Sequence, residues 1–214
     1  MKELSFRPYY KDDLSDCARF AAEAWPSISA MVPEGSAEEL LSVDVELARQ
    51  TSTWLEVACI SGRIAGFLFG RINRDFNRVD GLKAFFSSLV MGLELILGKH
   101  TKLPKRCTFM KNLILSEIKF KRNSPKSDAE VLFFVVESKH RGKRIGRALM
   151  DRFISAAKNK KVRTIILSTD ALSNWRFYEK YGFKRYSEFK DDISSYIEGE
   201  DVKGFVYLLE IEQT

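Results

Sequence analysis

One stretch of the chain, residues 131–161, predicts a strand, a tight turn and a helix in direct succession. The apolar run 131–136 is typical of a buried strand, and the turn at 141–146 reads Arg-Gly-Lys-Arg-Ile-Gly. Apolar side chains then recur at helical spacing. They are Ile145, Leu149, Phe153 and Ala156. This succession sets the expectation of an α/β fold.

The turn is suited to an anion. A helix N-terminus presents unpaired N–H donors and the positive end of the helix dipole. Gly142 and Gly146 lack a Cβ and let phosphates approach the backbone. Basic side chains add a positive field; they are Lys139, Arg141, Lys143, Arg144 and Arg147. The pattern indicates a phosphate site, and a tight connection without a ligand is the alternative.

A second segment makes this interpretation more specific. Residues 162–168 predict another buried strand, followed by Asn174 and by Phe-Tyr-Glu-Lys-Tyr-Gly-Phe at 177–183. The earlier turn approximates an Arg/Gln-x-x-Gly-x-Gly/Ala pattern. Together, in this order, the two motifs resemble the GCN5-related N-acetyltransferase (GNAT) superfamily over about residues 130–184.

The resemblance implies an α/β (α+β) fold, a mixed seven-stranded sheet flanked by helices, as one domain over residues 1–214. It also implies that the fourth and fifth strands splay apart, so that the pantetheine arm of coenzyme A pairs with the fourth strand. The coenzyme-binding residues it implies are Phe134, Val135, Val136, Arg141, Gly142, Lys143, Arg144, Ile145, Gly146, Arg147, Asn174 and Tyr178. Arg144 stands where the family has its first turn glycine, and its Cβ would lie near the phosphates. Asn174 is either a coenzyme ligand or a helix N-cap, which its residue type favours.

Acyl transfer to an amine needs a base, donors for the oxyanion, and an acid for the departing thiolate. The resemblance implies Tyr178 as the acid and Glu130, on the fourth strand, as the base. The alternatives are that Tyr178 only packs and that Glu130 is a solvated strand-entry carboxylate. Asp170, at the C-terminal end of the fifth strand, is the second candidate base. Main-chain amides around Val135 and Val136 are expected to stabilise the oxyanion.

The other patterns complete the element order. The remaining predicted strands are residues 4–9, 54–60, 64–72, 184–189 and 204–211, and the helices that precede the second strand are 12–24 and 38–50. Ser61-Gly62-Arg63 predicts a tight hairpin turn. The acidic segment 190–203 is expected to be a mobile loop.

Residues from about Phe76 to Lys126 predict a basic helical insertion between the third and fourth strands. Over residues 71–126, thirteen Lys and Arg stand against four Asp and Glu, a net charge of +9; because the whole chain is +6, the remainder is −3. The first apolar stripe is Leu82, Phe85, Phe86, Leu89, Leu93 and Ile96 or Leu97, before Gly98, and the second is Phe109, Met110, Leu113, Ile114 and Ile118.

Three interpretations of these two helices stay open. Their apolar faces pack on the sheet and leave solvated basic faces, or they form a lid over the acceptor site, where positive charge favours an acidic substrate or the coenzyme. In the third, they contact an anionic membrane surface. Their polar interruptions exclude a spanning helix, and without a readout motif no nucleic-acid partner is expected.

The sequence thus predicts an N-acetyltransferase that uses acetyl-coenzyme A as cosubstrate, with direct attack by a small-molecule or peptide amine. A coenzyme-A-binding module without catalysis is the alternative, which Arg144 keeps open. Three separated cysteines and two histidines offer no metal-ligand spacing, so no metal is expected; they are Cys17, Cys59, Cys107, His100 and His140. Without an apolar N-terminal signal, a cytoplasmic location is expected. Homodimers are a common outcome for the fold.

Overall fold

The computed structural model describes residues 3–98, 103 and 105–212. Within them lies a seven-stranded sheet of order β1-β2-β3-β4-β5-β7-β6. The strands are β1 (Leu4–Pro8), β2 (Trp54–Ile60), β3 (Arg63–Ile72), β4 (Ala129–Val136), β5 (Thr164–Asp170), β6 (Lys184–Lys190) and β7 (Lys203–Glu210). Only β4 and β5 pair in parallel, and the other neighbours are antiparallel. The predicted mixed seven-stranded sheet is confirmed.

Helices cover both faces of the sheet. They are α1 (Leu14–Ala24), α2 (Pro26–Met31), α3 (Ser36–Thr51), α4 (Arg78–Leu97), α5 (Arg106–Asn123), α6 (Ile145–Asn159), α7 (Arg176–Tyr181) and α8 (Asp192–Glu198). The apolar stripe of α6 packs on one face, where its Phe153 contacts the β3 backbone at Gly70. On the opposite face, α1 and α3 cover β2, β3 and β4, and Phe120 of α5 packs against Ile166 and Val206.

The segment 190–203 is not the loop that its acidic composition suggested. Its residues Asp192–Glu198 form α8, and the carboxylate of Asp191 accepts hydrogen bonds from the amide of Ser194 and from the Ser116 hydroxyl of α5. Lys119 of α5 pairs with Asp192 at 2.6 Å. The prediction of a loop was wrong because the partners of these carboxylates lie on a helix far away in the sequence.

The helical insertion between β3 and β4 is confirmed as α4 and α5. Asn77 caps α4 by accepting a hydrogen bond from the Asp80 amide at 2.9 Å. Gly98, with φ of 76°, ends the helix in the left-handed conformation that favours glycine. None of the described helices has the length and apolar character needed to cross a membrane.

The position of α4 overturns the expectation that its apolar face packs on the sheet. The helix lies on α3 and α5 instead, where Met91 and Leu95 pack with Leu40, Val43 and Phe109. The predicted stripe of α4, from Leu82 to Leu97, is exposed. In α5, by contrast, Phe109 and Phe120 are buried.

Candidate active site

The parallel strands β4 and β5 separate part-way along their length. Their register pairs Ala129 to Val131 with Ile165 to Leu167 and goes no further. Leu132 is the additional residue of a β-bulge, since Gly70 of β3 pairs with Val131 and Phe69 pairs with Phe133. Beyond the bulge, β4 continues beside β3 while β5 continues beside β7. A V-shaped gap therefore opens between β4 and β5, as the resemblance implied.

One side of this gap consists of strand backbone without a strand partner. The Glu137 amide donates to the Ala65 carbonyl of β3 at 2.9 Å. Because hydrogen-bonding direction alternates along an antiparallel pair, the polar groups of Val135 also point to β3, whereas those of Phe134 and Val136 point into the gap. Phe134 and Val136 can thus pair with an extended ligand as a further strand would. The amide and carbonyl of Val135 face β3 and are therefore not available to such a ligand.

The turn that follows β4 presents a run of free amides. The first hydrogen bond of α6 runs from the Ala148 amide to the Arg144 carbonyl at 3.0 Å. The six amides before Ala148 donate to none of the residues that the structure describes; they belong to Gly142, Lys143, Arg144, Ile145, Gly146 and Arg147. These donors and the positive end of the 15-residue helix are suited to an anion.

Gly146 brings this turn against the separated end of β4. A Cβ built on Gly146 would lie 3.0 Å from Cζ of Phe134, 3.4 Å from Cγ2 of Val136 and 3.7 Å from Phe177 of α7. The contact with Phe134 is closer than side chains usually make, so a larger residue would have to displace that ring, whereas the contact with Phe177 is an ordinary van der Waals distance. Glycine thus lets the turn pack closely against β4 and α7.

Arg144 adopts the left-handed backbone conformation that favours glycine. Its φ is 62°, in the left-handed region, as is the φ of 78° at Gly142. Its side chain is exposed. The left-handed conformation costs roughly 1 kcal/mol for a residue that carries a Cβ. Nearby, Nε of Arg141 donates to the Val136 carbonyl at 3.1 Å.

Tyr178 of α7 lies beneath the gap. Its half-buried ring packs 6.4 Å from that of Phe134 and 6.0 Å from that of Tyr207, measured between centroids. Its hydroxyl makes no hydrogen bond within the described part of the chain. Burial, with a contribution from the charge of Asp170, raises the pKa of this phenol above its ordinary value. It therefore stays protonated at neutral pH and is free to donate.

Glu130 lies on the other face of the sheet from α6. Its neighbours Ala129 and Val131 pack on the α6 face, so the side chain of Glu130 points to the α5 face. It forms an ion pair with Arg71 of β3, and only 15% of it is exposed. Burial and the charge of Glu117 raise its pKa, outweighing the lowering by Arg71. The alternative of a solvated strand-entry carboxylate is therefore wrong.

Two further carboxylates face this region, and sequence reasoning missed both. Asp44 of α3 and Glu117 of α5 have exposed side chains, and the charge of Glu117 acts on both Asp44 and Glu130. Burial and the charge of Glu117 raise the pKa of Asp44 to about 6. Burial raises the pKa of Glu117 as well. Within the described ranges neither carboxylate forms an ion pair, and no local pattern marks two polar positions on distant helices.

The structure gives Asp170 a role in turn geometry. Its carboxylate accepts hydrogen bonds from the amides of Leu172 and Ser173 at 2.9 and 2.7 Å, and from the Ser194 hydroxyl at 3.4 Å. These contacts hold the turn after β5 and leave Asp170 poorly placed to act as a base.

Asn174 does not cap α7. The N-cap residue of that helix is Trp175, and no side chain makes the capping hydrogen bond. The N-cap interpretation is therefore wrong. The exposed side chain of Asn174 remains a predicted coenzyme ligand.

Metal ligands are not assembled in the part of the chain that the structure describes. No group of three His, Cys, Asp or Glu side chains there could hold a metal ion. His100 lies outside the described residues. Cys17 and Cys59 are buried, Cys107 is exposed, and all three are free thiols.

Residues 113–185 match a family model described as an acetyltransferase (GNAT) domain. Over these residues the chain is similar to a GNAT domain. The matched span contains the separated part of β4, the amide-rich turn and Tyr178. The family description gives the general function, that of an acetyltransferase, in agreement with the expectation from the sequence.

Solved structures resemble this chain over nearly its whole length. PH1933 from Pyrococcus horikoshii is 15% identical, with 98% of this chain and 99% of that chain covered and a TM-score of 0.60. Ard1 from Thermoplasma volcanium is 15% identical, with 98% of each chain covered and a TM-score of 0.56. The ribosomal-protein-S18-alanine N-acetyltransferase from Escherichia coli is 13% identical, with 99% and 96% covered and a TM-score of 0.54. At these identities the likeness shows the fold alone, and a sequence search of curated proteins found no match.

Proposed function

We propose that this protein transfers an acetyl group from acetyl-coenzyme A to an amine, by direct attack in a ternary complex. The observation that carries the proposal is the junction of the V-shaped gap with the turn of six free amides. A coenzyme with a pyrophosphate and an extended amide-bearing arm fits both parts. An isolated phosphate would use only the turn.

In this proposal the amides of residues 142–147 bind the pyrophosphate, and the exposed side chains of Arg141, Lys143 and Arg147 add charge. The polar groups of Phe134 and Val136 pair with the pantetheine arm. The Val136 carbonyl has two lone pairs, so it can keep Arg141 and accept a second hydrogen bond.

Glu130 and Tyr178 lie on opposite faces of the sheet. Glu130 is in the paired part of β4, before the gap opens, and Tyr178 packs against Phe134 beside the gap. Glu130 accepts a proton from the attacking amine as the C–N bond forms, and its raised pKa suits a base working near neutral pH. The Phe134 amide, which points into the gap and lies nearer to Glu130 along β4 than the Val136 amide does, donates to the oxyanion. Tyr178 then protonates the departing thiolate as the C–S bond breaks. In this proposal the base and the acid therefore act from opposite faces of the sheet.

The acceptor that fits best is a cationic amine. Besides burial, the charge of Glu117 raises the pKa values of Asp44 and Glu130, and that of Asp191 raises the pKa of Glu117. Arg71 and Lys121 oppose this effect at Glu117 and Glu130. A positively charged acceptor would relieve this repulsion. The insertion as a whole is basic, which alone suggested an acidic acceptor, but the side chains that it and α3 turn toward Glu130 include these carboxylates.

The test measures coenzyme binding and turnover separately. Calorimetry with coenzyme A measures its binding affinity. Release of the coenzyme thiol from acetyl-coenzyme A measures acetyl transfer to a panel of diamines, neutral amines and amino acids. Tyr178→Phe should lower kcat by about tenfold to a hundredfold. Tyr181→Phe is the matched control, because the Tyr181 hydroxyl bonds to Asp151 at 2.5 Å on the surface.

The outcomes separate the two candidate functions. Thiol release that depends on Tyr178 supports the acetyltransferase. Tight coenzyme binding with no thiol release for any amine would instead identify a binding module without catalysis. Absence of coenzyme binding would refute both.

A further inference from the structure

Helix α4 turns its apolar face away from the protein. Nine large apolar side chains of this helix are between 38% and 68% exposed. They are Val79, Leu82, Phe85, Phe86, Leu89, Val90, Leu93, Ile96 and Leu97. At 100° per residue they occupy one arc of about 140°, along a helix about 30 Å long. This set is called the outward face of α4 below.

The helix packs through its other side. Ala84 and Leu95 are its buried residues, and Met91 packs beside them against α3 and α5. Asp80, Lys83 and Glu94 lie outside the apolar arc, and Arg78, the first residue of the helix, lies within it at the N-terminal end. The outward face is thus a continuous apolar strip that no described residue covers.

The size of this strip is outside the usual range for a monomer. With aromatic side chains of about 150–250 Å² each and exposures near one half, the nine residues present on the order of 800 Å². The largest apolar patch on a typical monomer is about 300–600 Å², and larger ones mark protein or membrane contacts. The outward face is therefore expected to be covered when the protein works.

Both ends of the outward face are basic. At the N-terminal end, Arg78 is exposed on the outward face, whereas Asp80 of the first turn lies on the opposite side of the helix. At the C-terminal end, the guanidinium of Arg106 lies against Gly98. The sequence there, 99–106, holds four basic residues and no acidic one.

This charge pattern distinguishes between two partners that could cover the outward face, a second copy of the chain and an anionic lipid surface. If two copies paired through their outward faces, parallel or antiparallel, a basic end would meet a basic end in either orientation. A complementary apolar strip of similar size is also missing elsewhere on the described residues. Ile114 and Ile118, one turn apart on α5, are the only other exposed large apolar side chains there that share an element; the rest are Leu4, Tyr10, Leu172 and Tyr186. An anionic surface with an apolar interior matches both the strip and its ends.

We propose that the outward face of α4 docks on the surface of an anionic lipid bilayer. The helix lies flat, with Phe85, Phe86 and Leu89 in the boundary between headgroups and acyl chains. Arg78 and Arg106 contact lipid phosphates at its two ends. The proposal concerns where the protein works and does not depend on the acetyltransferase proposal.

The experiment is co-sedimentation of the whole protein with vesicles of phosphatidylcholine alone and of phosphatidylcholine mixed with phosphatidylglycerol. The wild type should bind the anionic vesicles, and added salt should weaken binding. Replacing Phe85, Phe86 and Leu89 together by Ser should lower partitioning about tenfold or more. Leu172→Ser removes an equally exposed apolar side chain elsewhere and should bind as the wild type does.

Thermal unfolding verifies that the triple variant is folded, as expected for side chains that face solvent. Analytical ultracentrifugation of the same proteins tests the alternative, in which a second copy of the chain covers the outward face. A wild-type dimer that the triple variant dissociates, with no vesicle binding, would overturn the proposal in favour of a second copy. A monomer that binds neither vesicle would overturn it as well, and so would equal binding by the triple variant.

Discussion

Asp44→Asn should stabilise the protein, and only at a pH where Asp44 is ionised. The pKa of Asp44 rises from 3.8 to about 6 in the folded protein, through burial and the charge of Glu117. The folded state therefore holds the ionised carboxylate less favourably than the unfolded chain does. Above about pH 6 the cost is complete, between pH 6 and 3.8 it declines, and below 3.8 it is absent.

The size of the effect follows from that rise in pKa. A rise from 3.8 to about 6 would correspond to about 3 kcal/mol for a fully desolvated group. The Asp44 side chain is accessible to solvent, so we expect about 1 kcal/mol after screening. Urea unfolding should show this gain for Asp44→Asn at about pH 8 and almost none at about pH 4.

The matched control is Glu34→Gln, at an exposed position before α3, which should change the free energy of unfolding by less than about 0.5 kcal/mol at either pH. An equal gain for Asp44→Asn at both pH values would show that the amide packs better for a reason unrelated to charge. A loss of stability at pH 8 would refute the account of Asp44 as a repelled carboxylate.

Three other substitutions test the site. Arg144→Gly should raise the free energy of unfolding by about 0.5 to 1 kcal/mol, since glycine adopts the φ of 62° without strain; lower stability in urea would contradict this. Gly146→Val should weaken coenzyme A binding in calorimetry by at least about tenfold, because its side chain would contact Phe134 within the closest normal distance; unchanged affinity would place the site elsewhere. Glu130→Gln should lower the rate at neutral pH and less at high pH, where the amine is already neutral, and the wild-type rate should fall as pH drops through the raised pKa of Glu130; a constant ratio of the two rates across pH would rule out Glu130 as the base.

Local patterns predicted the parts of the fold that local geometry determines. The hairpin at Ser61-Gly62-Arg63 is present, with φ values of 50° and 78° at Ser61 and Gly62. The turn before α6 and the helix end at Gly98 also lie where glycine and the apolar spacing indicated. In each case the information lies within a few residues of the feature.

Features that depend on distant partners were not predictable in this way. The spacing in α4 identified an apolar stripe, but which side of the helix faces the protein depends on Met91 and Leu95 packing against α3 and α5. The charged side chains around Glu130 come from three elements that are far apart in sequence; they are Asp44, Arg71 and Glu117. Nor does any pattern show that the amide of Val135, unlike those of its neighbours, points to β3.

The most direct test of the coenzyme site is amide hydrogen exchange followed by NMR, with and without coenzyme A. Without it, the amides of Phe134 and Val136 and the six amides of residues 142–147 should exchange faster than the Val135 amide, which is paired with β3. Addition of coenzyme A should slow exchange at Phe134, Val136 and the turn and leave Val135 unchanged. Coenzyme binding that protects other amides, with no effect at these positions, would contradict the assignment of the gap and the turn as the coenzyme site.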